Sequence, residues 1–172
     1  MALATASSAG QPAVRTVLYK GIVRGGLSFY SNYESPKALQ LESNPQAALL
    51  FLWTPLNRQM RISGRTDKLT RQESEKYFAG RPRLSQIGAW ASDQSQPISA
   101  YAELEEKVQA LEKKFAGLEI PCPPRWGGFR LLPEYFEFWF GKEGRLHERY
   151  VYEKVPGSDA EKPKWKTYLL SP

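Results

Sequence analysis

Apolar and polar positions alternate with a period of two over much of this chain, and with a helical period only in its middle. Ala2–Thr5 and Ala13–Lys20 read as strands separated by the turn-forming set Ser-Ser-Ala-Gly-Gln-Pro. Gly21–Val23 and Leu27–Asn32 flank Arg24-Gly25-Gly26, a hairpin that needs positive φ. Pro36 suits a first helical turn, Lys37–Glu42 continues it, and Asn44-Pro45 ends it. Ala47–Trp53 is a continuous apolar run, which predicts a strand covered on both faces. Met60, Ile62 and Gly64 alternate with Arg61, Ser63 and Arg65, as in a half-buried strand.

The period then changes. Thr70 followed three residues later by Glu73 is a capping box, and Tyr77 and Phe78 fall near the end of the helix it starts. Tyr101, Leu104, Val108, Leu111 and Phe115 form one stripe on a helix across Ser99–Ala116, with core packing as its role. After Pro121-Cys122-Pro123-Pro124, strands return at Gly127–Leu132, Tyr135–Phe140, Leu146–Glu153 and Lys166–Leu170, with a hairpin turn at Gly141–Gly144. Many short strands with few helices predict a mainly β protein with peripheral helices (α+β), its sheet rolled into a closed or nearly closed barrel. A strictly parallel α/β sheet is disfavoured, because strands and helices do not alternate.

Composition narrows the chemistry. The 172 residues suit one domain, and 13% aromatic content argues against disorder. One cysteine, Cys122, excludes an internal disulfide and Cys-based metal clusters, and one histidine, His147, excludes two-His metal sites. No apolar run reaches the roughly 18–20 residues that span a bilayer. Met1-Ala-Leu-Ala-Thr has no basic region followed by a long apolar core, so a cytoplasmic protein without a signal peptide or membrane association is expected. The 24 Lys+Arg against 18 Asp+Glu leave a charge of +6, which favours an anionic partner.

Three basic clusters could meet that partner. In Arg15–Lys20, read as a strand, Arg15 and Lys20 point to opposite faces, and the bland reading is a solvated edge. In Arg81-Pro82-Arg83-Leu84-Ser85, Tyr77 lies one turn before Arg81, and hydroxyls and guanidinium are all phosphate donors. Its bland reading is basic residues meeting a helix C-terminus, but the polar set Ser92-Asp93-Gln94-Ser95 downstream favours a site. In Arg145-Leu146-His147-Glu148-Arg149, read as a strand, Arg145, His147 and Arg149 share one cationic face. There is no nucleophilic triad, Walker sequence or Gly-rich dinucleotide fingerprint. The clusters describe a pocket for anionic, aromatic small molecules. A nucleic-acid-binding module is disfavoured, since the basic residues sit in short mixed-polar sets.

These residues, with Phe29-Tyr30-Ser31-Asn32, Pro55–Gln59, Trp126-Gly127-Gly128 and Glu137-Phe138-Trp139, run in one order along nearly the whole chain. Together they closely resemble the pyridoxine/pyridoxamine 5′-phosphate oxidases, FMN-dependent enzymes that make pyridoxal 5′-phosphate. The resemblance implies a single FMN-binding split β-barrel domain over residues 1–172 and a homodimer with FMN at the subunit interface. It implies that Arg15, Lys37, Tyr30 and Ser31 hold the FMN phosphate and ribityl chain, and that Thr16, Val17 and Leu18 line the flavin with backbone groups. Gln59, Trp139 and Arg149 would also contact FMN, as would Gln94 and Ser95 from the other subunit. Lys20, Tyr77, Arg81 and Ser85 would bind the substrate phosphate, and Arg145 and His147 would cover the pyridine ring as catalytic residues.

The implied reaction removes two electrons from C4′ of the vitamin's alcohol or amine and delivers them to O2 as H2O2; the amine passes through an imine that water hydrolyses. Four departures from the family pattern stand out. Pro36 replaces a phosphate-binding Arg, which implies weaker FMN binding. Glu148 replaces an Asp, and Leu169 an Arg. The chain also begins where family members already have an N-terminal arm that helps close the substrate site. Two rivals follow: an FMN- or pyridoxal-phosphate-binding protein with little turnover, and a split-barrel oxidase of the phenazine pathway.

Overall fold

The computed structural model describes residues 1–159 and 162–172. In chain order the strands are β1 (Ala2–Ala6), β2 (Pro12–Thr16), β3 (Ile22–Val23), β4 (Gly26–Asn32), β5 (Gln46–Trp53), β6 (Arg58–Lys68), β7 (Trp126–Phe140), β8 (Glu148–Lys154) and β9 (Trp165–Leu170). Helix α1 (Pro36–Ser43) lies between β4 and β5, and α2 (Arg71–Ala79), α3 (Arg83–Ala91) and α4 (Tyr101–Lys114) lie between β6 and β7. The strands pair in the order β2-β1-β5-β6-β7-β4-β3, with β8 added to β7 and β9 to β8. Among the described residues β2 and β3 end this path without pairing to each other, so the barrel is split rather than closed.

The chain packs as two compact units: Met1–Phe29, Gln40–Asp67 and Arg130–Pro172 form the first, and Tyr30–Leu39 and Lys68–Phe129 the second. The first carries the sheet. Leu3, Leu49, Ile62, Leu131 and Val151 are fully buried on one side of their strands or the other. Each such side chain stabilises the fold by roughly 1.5–3 kcal/mol. At Gly64 the backbone comes so close to β7 that an added Cβ would lie 2.0 Å from the Leu132 carbonyl oxygen. The second unit is built from helices around Phe78, Ile87, Phe115, Ile120 and Trp126. The capping box of α2 is present, with Thr70 N–H donating to Glu73 Oε2 at 2.7 Å and Glu73 N–H to Thr70 Oγ1 at 3.2 Å. Along α4 the predicted stripe buries Phe115 and half-buries Leu104, Val108 and Leu111, while Tyr101 is exposed.

Several expectations are corrected. Strand β2 stops at Thr16, and beyond it Val17 N–H donates to Met1 O at 2.9 Å and Lys20 N–H to Ser28 O at 2.9 Å. The opposite-face argument for Arg15 and Lys20 therefore lapses. Strand β5 is not covered on both faces: Ala47 and Leu49 are buried, whereas Ala48, Leu52 and Trp53 are exposed. The two strands expected between Gly127 and Phe140 are one continuous strand, β7, that runs through Pro133. Helix α3 was not anticipated; it begins directly after Pro82 and buries Gln86, Ile87 and Ala91. Finally, the turn after β7 extends through a 3₁₀ segment, Glu143–Arg145, with Gly144 at φ 63° and Arg145 at φ 60°. Strand β8 starts only at Glu148, so Arg145, His147 and Arg149 do not share a strand face. The left-handed pair breaks the alternation on which that reading depended.

Candidate functional site

In the second unit, Gly80 ends α2 and Arg81 follows, its N–H donating to Phe78 O at 3.1 Å. The Arg81 guanidinium lies 4.6 Å from the Trp126 ring centre and 5.6 Å from that of Phe78. Its Nη1 is buried and has no hydrogen-bond partner. Aromatic faces attract a cation without accepting all of its N–H groups, so the donor remains to be satisfied. The Arg81 residue borders a cavity of about 260 Å³ that is also lined by Ser85, Asn32, Ser92, Gln94 and Trp126. Burial lowers the Arg81 pKa from its ordinary value, but a guanidinium starts so high that it stays charged. A buried, charged, unpaired donor beside hydroxyl and amide groups is suited to an anion.

In the same unit, Tyr30 and Tyr77 stack at 3.8 Å with an interplanar angle of 13°. Trp126 continues the stack, 5.3 Å from Tyr30 and 6.2 Å from Tyr77. Burial, with Tyr77, Glu73 and Tyr33 nearby, pushes the Tyr30 phenol up to about 12, so it remains a neutral hydroxyl. Next to Tyr30 in the chain, Ser31 Oγ donates to Gln94 Oε1 at 2.9 Å. Lys37, in the first turn of α1, donates from Nζ to Gln94 Oε1 at 2.9 Å, Ser31 Oγ at 3.1 Å and Ser35 Oγ at 3.2 Å. Gln94 thus sits against Ser31 and Lys37 of its own chain. Ser95 follows in the left-handed region at φ 69°.

In the first unit the strand register gathers a different set. Thr16 pairs with Ala2, Ala2 with Leu50, and Leu50 with Arg61, so these side chains share one sheet face with Gln59. Trp139 pairs with Arg149, and Arg149 bonds Glu137 two residues before Trp139. Glu137 in turn accepts from Arg61 Nη1 at 3.1 Å, which places Trp139 and Arg149 on the same face. This is the side of β5 left uncovered. A cavity of about 280 Å³ opens on it, lined among others by Ala2, Val14, Leu50, Gln59, Arg61 and Tyr135.

Arg15 lies on the opposite face of β2. Its Nη1 donates to Thr5 Oγ1 at 2.5 Å and its Nη2 to Gln40 Oε1 at 3.4 Å. Leu18 is exposed, and so is Lys20. His147 is brought back by the turn: Lys142 N–H donates to its Nδ1 at 3.1 Å, and its ring centre is 4.6 Å from that of Trp139. With Nδ1 accepting, the proton of the neutral imidazole is on Nε2. Arg145 is exposed on the turn.

The structure therefore gathers Tyr30, Ser31, Lys37, Tyr77, Arg81, Ser85 and Gln94 within one unit. Thr16, Gln59, Trp139, His147 and Arg149 are gathered within the other. Sequence reasoning gave no site role to Trp126 or Asn32 at the first cavity, to Arg61 or Tyr135 at the second, or to Glu137, which bonds both of the latter. Trp126 and Glu137 both had a signal, in the stretches Trp126-Gly127-Gly128 and Glu137-Phe138-Trp139, but nothing local assigned either residue a role.

A flavin mononucleotide has a phosphate dianion and a broad flat ring. Within the second unit the ammonium and hydroxyl of Lys37 and Ser31 suit a phosphate, and within the first unit an open sheet face carrying Gln59, Trp139 and Arg149 suits a flat ring. Comparison with known proteins agrees. Residues 1–115 match the pyridoxamine 5′-phosphate oxidase family, and residues 126–172 match the pyridoxine 5′-phosphate oxidase C-terminal dimerisation region. The chain is 50% identical over 172 residues to a pyridoxine/pyridoxamine 5′-phosphate oxidase of Rippkaea orientalis, covering 100% of this chain and 79% of that one. For the Bdellovibrio bacteriovorus enzyme of the same description the figures are 48%, 100% and 85%. Among solved structures, PhzG from Burkholderia lata, in complex with tetrahydrophenazine-1-carboxylic acid, aligns with TM-score 0.91 and 32% identity over 99% of this chain and 81% of that one. A pyridoxamine 5′-phosphate oxidase-related, FMN-binding protein from Nostoc punctiforme shares the fold, with TM-score 0.78 and 17% identity over 99% of this chain and 87% of that one.

Proposed function

Because the chain belongs to the pyridoxamine 5′-phosphate oxidase family, we propose that it oxidises pyridoxine 5′-phosphate and pyridoxamine 5′-phosphate to pyridoxal 5′-phosphate as a homodimer, with O2 as acceptor. Its cofactor is FMN. When bound, FMN supplies the two-electron acceptor for oxidation at C4′ and the route of those electrons to O2, giving H2O2.

The observation that carries this reading is the buried Arg81 donor without a partner, with Ser85 beside it at the cavity. A phosphate ester in that cavity would bring acceptor oxygens to the Arg81 guanidinium and accept from the serine hydroxyl as well. Lys20 and Tyr77 would complete the phosphate set. Lys37, Ser31, Tyr30, Gln94, Ser95 and Arg15 would hold the cofactor's phosphate and ribityl chain. Thr16, Val17, Leu18, Gln59, Trp139 and Arg149 would surround its ring. Arg149 supplies positive charge that does not titrate near neutrality. Arg145 and His147 would cover the substrate ring, and the free Nε2–H of His147 can donate to a substrate oxygen or move a proton.

The test is direct. Purified protein with FMN and pyridoxamine 5′-phosphate should yield aldehyde and H2O2 in equal amounts. FMN bound without turnover would instead identify a binding protein.

The likeness to PhzG favours a second reading, oxidation of a phenazine-type ring. The phosphate-directed donor at Arg81 argues against it. Competition decides: inhibition by pyridoxal 5′-phosphate supports the first reading, and an active enzyme insensitive to it supports the second.

A further inference from the structure

Glu137 is the only fully buried charged residue among the described residues, with 1% of its surface exposed. It sits on β7 and receives three donors: Arg149 Nε at 3.0 Å from β8, Arg61 Nη1 at 3.1 Å from β6, and the Tyr135 hydroxyl at 3.1 Å. Burial by itself would raise its pKa. The hydrogen bonds from Arg149 and Tyr135 and the charges of Arg61 and Arg149 outweigh that, and the carboxyl is held below its ordinary value. It is therefore ionised at neutral pH, and the cluster of two guanidinium groups and one carboxylate has one net positive charge.

Each of the three donors looks onto the uncovered sheet face. Arg61 and Tyr135 line its cavity beside Gln59. Arg149 is paired across the strands with Trp139, and its Nη1 donates to Ser171 O at 2.9 Å. One carboxylate thus fixes side chains from three adjacent strands. A buried ion pair is weak evidence for stability, because desolvation offsets most of the attraction. What the arrangement does supply is position: long, rotatable side chains are held in one geometry around an open cleft.

We propose that Glu137 is a positioning residue for the FMN cleft, fixing Arg149 directly and, through Arg61 and Tyr135, the cavity wall beside Gln59 that receives the flavin ring. The proposal rests on the FMN reading above. It adds a residue that touches neither cofactor nor substrate yet determines how the cofactor is held.

Titration of flavin-free protein with FMN tests it, followed by quenching of flavin fluorescence and by the visible absorption of the bound flavin. The variants are Glu137→Gln, Arg149→Ala and their double. Glu137→Gln should raise the Kd for FMN by about tenfold, in line with the loss of one charge-assisted hydrogen bond, and should shift the visible band. The double variant should bind more weakly than Arg149→Ala by clearly less than the tenfold lost in Glu137→Gln alone, because part of the effect of Glu137 runs through Arg149 and only the part through Arg61 and Tyr135 remains. Wild-type Kd and band position in Glu137→Gln overturn the proposal, and so do losses that multiply in the double variant. If Glu137→Gln does not fold, Tyr135→Phe decides, because it removes one donor and no charge. A Kd raised by about threefold at an unchanged unfolding midpoint supports the proposal, and an unchanged Kd overturns it. Failure of the wild-type protein to bind FMN would overturn the cofactor reading itself, and this proposal with it.

Discussion

Arg81 and Arg149 are two arginines proposed to meet ligands, one in each compact unit, and the protein treats them in opposite ways. Arg149 is held end to end by protein acceptors, Glu137 at Nε and the Ser171 carbonyl at Nη1. Arg81 rests on the rings of Trp126 and Phe78 and keeps a buried nitrogen unpaired. Ring faces supply about 0.5–2 kcal/mol of attraction but leave N–H groups to be matched by something else. An internal carboxylate turns an arginine into a fixed arm, and an aromatic seat leaves it ready for an incoming anion.

The sharpest way to break this contrast is to remove the unpaired donor. Arg81→Met should raise KM for the phosphorylated vitamers by several hundredfold, about two charge-assisted hydrogen bonds, while FMN stays bound. An unchanged KM in steady-state assays would mean that the donor serves something other than substrate. Arg145→Ala and His147→Ala should each lower turnover by about a hundredfold, the scale of a lost acid–base or orienting group. Both should retain flavin, and a colourless His147→Ala preparation would contradict the division of roles.

Lys37→Ala should weaken FMN binding by about tenfold, read by titration, with Arg15→Ala acting in the same direction. The smallest effect concerns acid. Because Glu137 has a folded pKa below its unfolded value, its contribution to stability is present above the unfolded pKa and is lost as pH falls through the folded one. Thermal midpoints measured between about pH 6 and pH 3 should therefore converge for the wild type and Glu137→Gln as the solution becomes more acidic.

Much of this was legible before any coordinates. The alternation at Met60–Arg65 is strand β6, and the Thr70–Glu73 box starts α2 as predicted. The hairpin at Arg24-Gly25 has the expected positive φ, 45° and 76°. What escaped had local patterns that mislead. Helix α3 hides behind Pro82 and a polar run, and its helical state comes from tertiary burial of Ile87 and Ala91. Arg145 to Arg149 alternate like a strand, yet two left-handed residues turn the first of them aside. The apolar run of β5 is apolar on an exposed face too, and nothing local distinguishes a face that meets a core from one that lines a cleft. The partnerships of Glu137 join residues 76 and 12 positions apart, beyond any sequence window.

Gly64 has consequences for inherited variation. A side chain at position 64 would drive its first carbon into the Leu132 carbonyl of the neighbouring strand. The mildest replacement, Gly64→Ala, therefore acts as a wedge between β6 and β7, the strands that carry Arg61 and Glu137. A single-nucleotide change there would be harmful without touching any ligand, and a survey that ranks variants by distance from the active centre would score it as benign.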